Sequence, residues 1–226
     1  MAANVRHASS NRDPYPRACL LVFAKAPIAG RAKTRLIPKL GARGAARLHA
    51  RLTRRTLTTA AQVQWASLRL CYSPARTHGF FHGCRRDFAL SLQVQQGDDL
   101  GQRMHHALAI ALRHYDLAIL IGSDCPGLSA RVLRAALDAL RSGSNVVLVP
   151  ASDGGYVLIG MRRAAARLFH GLDWGSSRVL TQTRRCLKKL QLRWTELAPL
   201  VDVDRPEDIR RLARGHGGLL FDFAAQ

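Results

Sequence analysis

The sequence is poor in the residues that announce several common classes of protein. Aromatic residues make up 6% of the 226 positions, and they are not interleaved with basic runs in the way nucleic-acid binders display them. Cysteine is scarce: Cys19, Cys71, Cys84, Cys125 and Cys186 are odd in number and scattered, with no C-x-x-C pair. That excludes a zinc ribbon or a disulfide frame and suits a reducing cytoplasm. No apolar run approaches the ~18–20 residues that span a bilayer. Acidic residues number 15 against 35 basic ones, of which only five are lysine, for a net charge of +20. Such a surface attracts anions, but the arginines are dispersed and no recognition helix stands out. Most of the charge therefore reads as background composition, and no specific nucleic-acid partner is expected. Neither G-x-x-x-x-G-K-[ST] nor G-x-G-x-x-G occurs, so the two commonest glycine-rich nucleotide loops are absent.

What is present is an alternation of short apolar runs and longer amphipathic stretches, the pattern of an α/β sheet flanked by helices. Residues 1–17 carry basic groups without an apolar stretch, which predicts a poorly ordered lead-in rather than a secretory signal. One domain is expected over residues 18–215, with a loose tail at 216–226. The buried strands are expected at 18–24, 66–72, 90–94, 117–121, 145–150, 157–161 and 192–197. Helices are expected over 41–62, opening within Gln96–Met104 and reaching about Tyr115, from Ser129 to about 140, from Ser176 or Ser177 to about 190, and from Asp204 to 212. A short helix is expected at 163–170, and 75–88 reads as irregular or weakly helical.

Three junctions carry chemistry. The run Leu117–Ile121 stops at Gly122-Ser123-Asp124, and Pro126 and Gly127 prevent the strand from continuing. Ligands of open α/β sheets lie outside the carboxyl ends of strands. Asp124 is therefore placed to hold a cation or a substrate hydroxyl, although Asp also caps turns. Directly after the first strand, KAPIAGRAKTRLIPKL carries Lys25, Arg31, Lys33, Arg35 and Lys39 and no acid, with Gly30 at a turn. Backbone N–H groups approach closely at a glycine while Lys and Arg neutralise charge, an arrangement suited to phosphates. The third junction is Asp153-Gly154-Gly155-Tyr156, either a tight turn between two strands or a close-approach surface for sugar or phosphate. Asp98 and Asp99 sit where a helix N-terminus welcomes negative charge, which accounts for them.

Taken together, FAKAPIAGRAKTRL, QGDDLGQRM, LIGSDCPGL, ASDGGYVLIGM, LDWGSSRVLTQT and VDVDRPED resemble, in order from about residue 20 to 209, the bacterial glycosyltransferase-like proteins associated with radical-SAM enzymes. These lie in the nucleotide-diphospho-sugar transferase superfamily. The resemblance implies a single Rossmann-like GT-A domain, a mostly parallel sheet with helices on both faces. It implies a cytoplasmic transferase acting on a nucleotide-diphospho-sugar and an unidentified acceptor, dependent on Mg²⁺ or Mn²⁺. By the same resemblance Lys25, Gly30, Arg31, Lys33 and Arg35 would grip nucleotide phosphates, and Asp124 would hold the metal. Asp204, or else Asp202, would be a second ligand, and Asp153 a catalytic carboxylate. Gly154, Gly155, Tyr156 and Trp174 would line the sugar or acceptor side. The chain has Ser123-Asp124 where many glycosyltransferases have D-x-D. Related nucleotidyltransferases, including the guanylyltransferase of coenzyme F420 synthesis, share the AKTRL-like loop and the DGG motif. Joining of an NTP to a small phosphorylated metabolite is thus the alternative, and nucleotide binding without turnover a third.

Overall fold

Each apolar run becomes a strand because each can bury both faces. In the computed structural model, which describes residues 17–65, 67–76 and 78–209, β1 (Ala18–Lys25), β2 (Ser67–Ser73), β3 (Ser91–Val94), β4 (Leu117–Gly122), β5 (Val146–Pro150), β6 (Tyr156–Met161) and β7 (Trp194–Glu196) form one sheet. Its order is β3-β2-β1-β4-β6-β5-β7, and β6 alone runs antiparallel to its neighbours β4 and β5. Leu117, Ile119 and Ile121 of β4 are fully buried, each contributing about 1.5–3 kcal/mol through loss of apolar surface.

Alternate residues of the strands face two separate cores. On one face Leu20, Val22, Ile119, Ile121, Val147 and Val149 pack under α1 (Ile37–Ala61), α2 (Gly79–Phe88) and α4 (Ala130–Arg141). On the other, Leu21, Phe23, Leu120, Leu148 and Ile159 pack under α3 (Leu100–Leu112) and α5 (Val179–Lys189). The expected fold class is found: α/β, mostly parallel, with helices on both faces. β2 and β3 lie to one side of β1 and β4 to the other, so the sheet reverses its winding between β1 and β4. That reversal opens a crevice at the carboxyl ends, and it falls beside Asp124.

The differences from expectation are local. Residues 79–88 form a regular helix, α2, started by His78, whose ring accepts the Phe80 N–H. With only Phe81 and Cys84 buried on it, its apolar pattern is too sparse to read. Residues 163–170 make a single 3₁₀ turn, Ala166–Leu168, instead of a helix. Helix α1 begins before Gly41, which itself takes a non-helical conformation and kinks it. Helix α5 starts at Val179 without a side-chain cap, although Ser176 accepts the Arg178 N–H. The hairpin joining β5 to β6 inserts β6 between β4 and β5, an order that local patterns do not encode. The expected lead-in and tail lie outside the described residues, except for Arg17.

Candidate active site

Parallel pairing of β1 with β4 sets Phe23 opposite Gly122, so the basic loop and Asp124 leave the sheet side by side. Lys33 takes a left-handed backbone conformation (φ 49°) at the start of the 3₁₀ turn Thr34–Leu36, which turns its side chain inward. Its Nζ reaches Asp124 Oδ2 at 2.8 Å and the Val203 carbonyl at 2.5 Å, with Asp204 Oδ1 at 3.7 Å. Only 4% of the Lys33 side chain is exposed. Arg35 pairs with Asp204. The Val201–Asp204 segment is held over β4 by the Val203 N–H, which donates to the Asp124 carbonyl at 2.9 Å.

His49 completes the cluster from α1. Its Nε2 donates to the Lys25 carbonyl at 2.9 Å, while Nδ1 lies 3.5 Å from Asp124 Oδ1. Both Nδ1 and Oδ1 are buried without a hydrogen-bond partner. Burial alone would raise the Asp124 pKa, but the Lys33 ammonium and His49 outweigh it and hold the carboxyl well below the usual range. Although one oxygen is shut in, 41% of the Asp124 side chain remains open.

On the far side of Asp124 lies a cavity of about 260 Å³. Asp124, Asp153 and Asp202 line it together with Leu100, Met104, Tyr156 and Trp174. Tyr156 and Trp174 meet edge to face, 6.3 Å between ring centroids. Asp202 is pushed up to about 6, first by burial and then by the neighbouring charge of Asp153. Burial also pushes Cys125 at the cavity up to about 11, which leaves it a neutral thiol and no nucleophile.

Several expected site residues acquire structural explanations. Asp153 Oδ1 accepts the Gly155 N–H at 2.9 Å and so shapes the hairpin turn. Gly154 has φ +90°, and a Cβ there would lie 2.2 Å from the Ser177 carbonyl oxygen; its missing side chain admits the loop before α5 and does not line the cavity. Asp99 caps α3 by accepting the Gln102 N–H at 2.7 Å. Lys25 and Arg31 are exposed, and Gly30 supplies the left-handed turn between them (φ 80°). None of these three lines the cavity. Asp204 is drawn into ion pairs with Arg35 and Lys33, whereas Asp202 faces the cavity. His49 is absent from the expected set; the signal was a histidine within the apolar stripe of Ala45, Leu48 and Leu52.

Whether these residues suit a divalent cation can be judged from the donors. Among the described residues, no three His, Cys, Asp or Glu side chains are gathered into a metal cluster. Mg²⁺ and similar ions, however, commonly take one or two carboxylates and complete their shell with water and substrate phosphate. The open face of Asp124 and the surplus negative charge around Asp202 fit that mode.

Residues 56–176 match the model of the DUF2064 family, described as an uncharacterized protein conserved in bacteria. The chain belongs to this family. No curated protein matches it in sequence. Among solved structures, a Desulfovibrio desulfuricans G20 protein provisionally named as a nucleotide-diphospho-sugar transferase is 31% identical to this DUF2064 member. The similarity covers 90% of this chain and 89% of that one, with a TM-score of 0.81. The fold is also shared with CMP:2-keto-3-deoxy-manno-octonic acid synthetase complexed with CTP (12% identity, 89% and 99% coverage, TM-score 0.59). A third structure of this fold is glucosyl-3-phosphoglycerate synthase from Mycobacterium tuberculosis with Mn²⁺ and UDP (10% identity, 92% and 80% coverage, TM-score 0.54).

Proposed function

We propose that this protein is a transferase acting on a nucleotide substrate, and that the reaction is transfer of a glycosyl group from a nucleotide-diphospho-sugar to a small acceptor. The observation that carries this reading is the meeting of Asp124 with the basic loop at the winding reversal of the sheet, beside a cavity of acceptor size. Support comes also from the 31%-identical relative, whose provisional name is that of such a transferase.

In this reading the exposed Lys25, Arg31 and Arg35 attract the donor's diphosphate, and charge-assisted hydrogen bonds from them stabilise the departing nucleoside diphosphate. Lys33 acts from behind, fixing Asp124 and the 201–204 segment in register. A bound Mg²⁺ or Mn²⁺, held by Asp124 with Asp202 or Asp204, would offset the diphosphate charge. Asp153 is the carboxylate from which a general base would be drawn, since it faces the cavity where an acceptor hydroxyl would sit.

The test is a panel of nucleotide sugars and nucleoside triphosphates, followed by thermal shift with and without Mn²⁺ and by product analysis. Release of nucleoside diphosphate supports glycosyl transfer, whereas release of pyrophosphate moves the assignment to nucleotidyl transfer. Asp124→Asn should remain folded, because Asn serves turns about as well as Asp, yet lose the Mn²⁺-enhanced nucleotide shift. A folded variant with unchanged metal dependence would return Asp124 to the role of a turn residue.

A further inference from the structure

The cavity beside Asp124 is unlike the rest of the molecule in charge. The chain carries 35 basic residues, yet among the described residues lining this cavity none is Lys, Arg or His, and three are aspartates. The nearest cations are already committed. Lys33 lies behind Asp124, and together with Arg35 it balances Asp124 and Asp204. Asp153 and Asp202 are left facing the cavity, with no ion pair to either among the described residues. A divalent cation would bring these carboxylates to neutrality and no further. Among the described residues lining the cavity, none offers the positive charge that favours a phosphorylated or carboxylated ligand.

Much of the remaining lining is apolar. Leu100 is the one large apolar side chain left exposed among the described residues, at 46%, and it stands at the cavity with Met104, Val157 and Val179. Trp174 is fixed beside Tyr156 by its Nε1–H, which donates to the Phe169 carbonyl at 3.3 Å. Aromatic and apolar side chains lining one cavity with carboxylates are the chemistry that recognises an organic cation: the rings attract the ammonium and cover its hydrocarbon body, and the carboxylates fix its charge.

Resting on the transferase reading above, we infer that the acceptor bound in this cavity is a small organic cation, an ammonium group on an apolar or aromatic body, and not a phosphorylated metabolite. With a metal on Asp124 and Asp204, Asp153 and Asp202 take the ammonium, and Trp174 and Leu100 cover the body. The assignment deepens the proposed function by naming the acceptor's class, and it bears on the choice between reactions, because a phosphorylated partner is what the nucleotidyl-transfer alternative requires.

Three probes that share a phenyl ring and differ in charge separate the possibilities: phenethylamine, 2-phenylethanol and phenyl phosphate. Their binding to the full-length protein is measured by calorimetry at neutral pH and fixed salt, with and without Mn²⁺. The expected order is amine, alcohol, phosphate, with the amine at least about tenfold tighter than the alcohol. In Asp202→Asn and Asp153→Asn, folding is checked by circular dichroism; Asn at 153 retains an oxygen for the Gly155 N–H. Each variant should erase most of the amine's advantage while leaving the alcohol unchanged, and Trp174→Ala should weaken both. Equal binding of amine and alcohol, tighter binding of phenyl phosphate, no binding of any probe, or an amine advantage that survives both Asn variants would each overturn the inference. Nucleotide binding is followed separately by thermal shift, so loss of the nucleotide reading with retained charge selectivity, or the reverse, shows which of the two has failed.

Discussion

Lys33 is a charged side chain that has been taken out of water, and its partners explain why that is tolerated. Its three contacts come from β4's end and from the 201–204 segment, so one ammonium ties together two stretches far apart in sequence. Removing it leaves Asp124 and the Val203 carbonyl without their donor, and unpaired buried groups cost more than the pair contributes. Lys33→Ala is therefore expected to lower stability by about 2–4 kcal/mol and to weaken nucleotide binding with it. Arg35→Ala, at an exposed position (59%), should leave the melting temperature nearly unchanged and weaken nucleotide binding by ~1.5–3 kcal/mol, the range for a hydrogen bond to a charged group. Denaturant titration and calorimetry separate the two; equal stability losses would contradict the difference in burial. At this scale Asp124 and the basic loop were legible because each directly follows an apolar run. His49 was not, because one polar residue in an apolar helical stripe carries no sign of what it faces. Nor could the sequence choose between Asp202 and Asp204, which are two residues apart and point to different surroundings.

Elements were legible where period and length agreed. β1, β4 and β5 are near-continuous apolar runs buried on both sides, and α4 repeats its apolar residues from the Ser129 cap onward. α2 read as no more than irregular or weakly helical because Gly79 and Gly83 dilute its pattern. The same glycine type means opposite things in two helices. A Cβ on Gly101, in the first turn of α3, would lie 2.3 Å from Trp174 Nε1 and 2.5 Å from the Phe169 carbonyl. Gly101→Ala should cost about 1–3 kcal/mol by overpacking and displace Trp174 from the cavity. Gly83 in α2 has open space around it, so Gly83→Ala should stabilise by ~0.4–1 kcal/mol; thermal melts of the two variants should move in opposite directions. The edge of the sheet offers a pH-dependent case. Arg184 of α5 holds Glu196 of β7 through two hydrogen bonds, at 2.9 and 2.6 Å, and lowers its pKa below the ordinary 4.5. A carboxylate with a depressed folded pKa adds stability that is full above its ordinary value and is lost as pH falls through the folded one. With Arg184 42% exposed, solvent screening limits the gain to about 0.5–1 kcal/mol. Glu196→Gln should be less stable than wild type by that amount at neutral pH, and the gap should close in acid. A gap that widens as pH falls would reverse the assignment.

For the whole molecule the question is what a net charge of +20 does. Much of it is carried outward: on α1 alone Arg43, Arg47, Arg51, Arg54 and Arg55 are exposed on the side away from the sheet. Several of these are engaged within the fold, as Arg54 is with Asp87 and Arg55 with the Pro126 carbonyl. Among the described residues no helix presents basic residues alternating with exposed aromatics, and the cavity itself is acidic. A surface of this kind attracts any polyanion without reading it, since phosphate contacts position but do not specify. Binding to duplex DNA is thus expected to be weak, independent of sequence, and to fall steeply with added salt as counterion release diminishes. Fluorescence anisotropy with two unrelated duplexes, across a salt series, measures both properties at once. Affinity that persists at high salt and differs between the duplexes would require base contacts. The positive surface would then be a recognition face, and the acidic cavity would have to share the molecule with a second binding function.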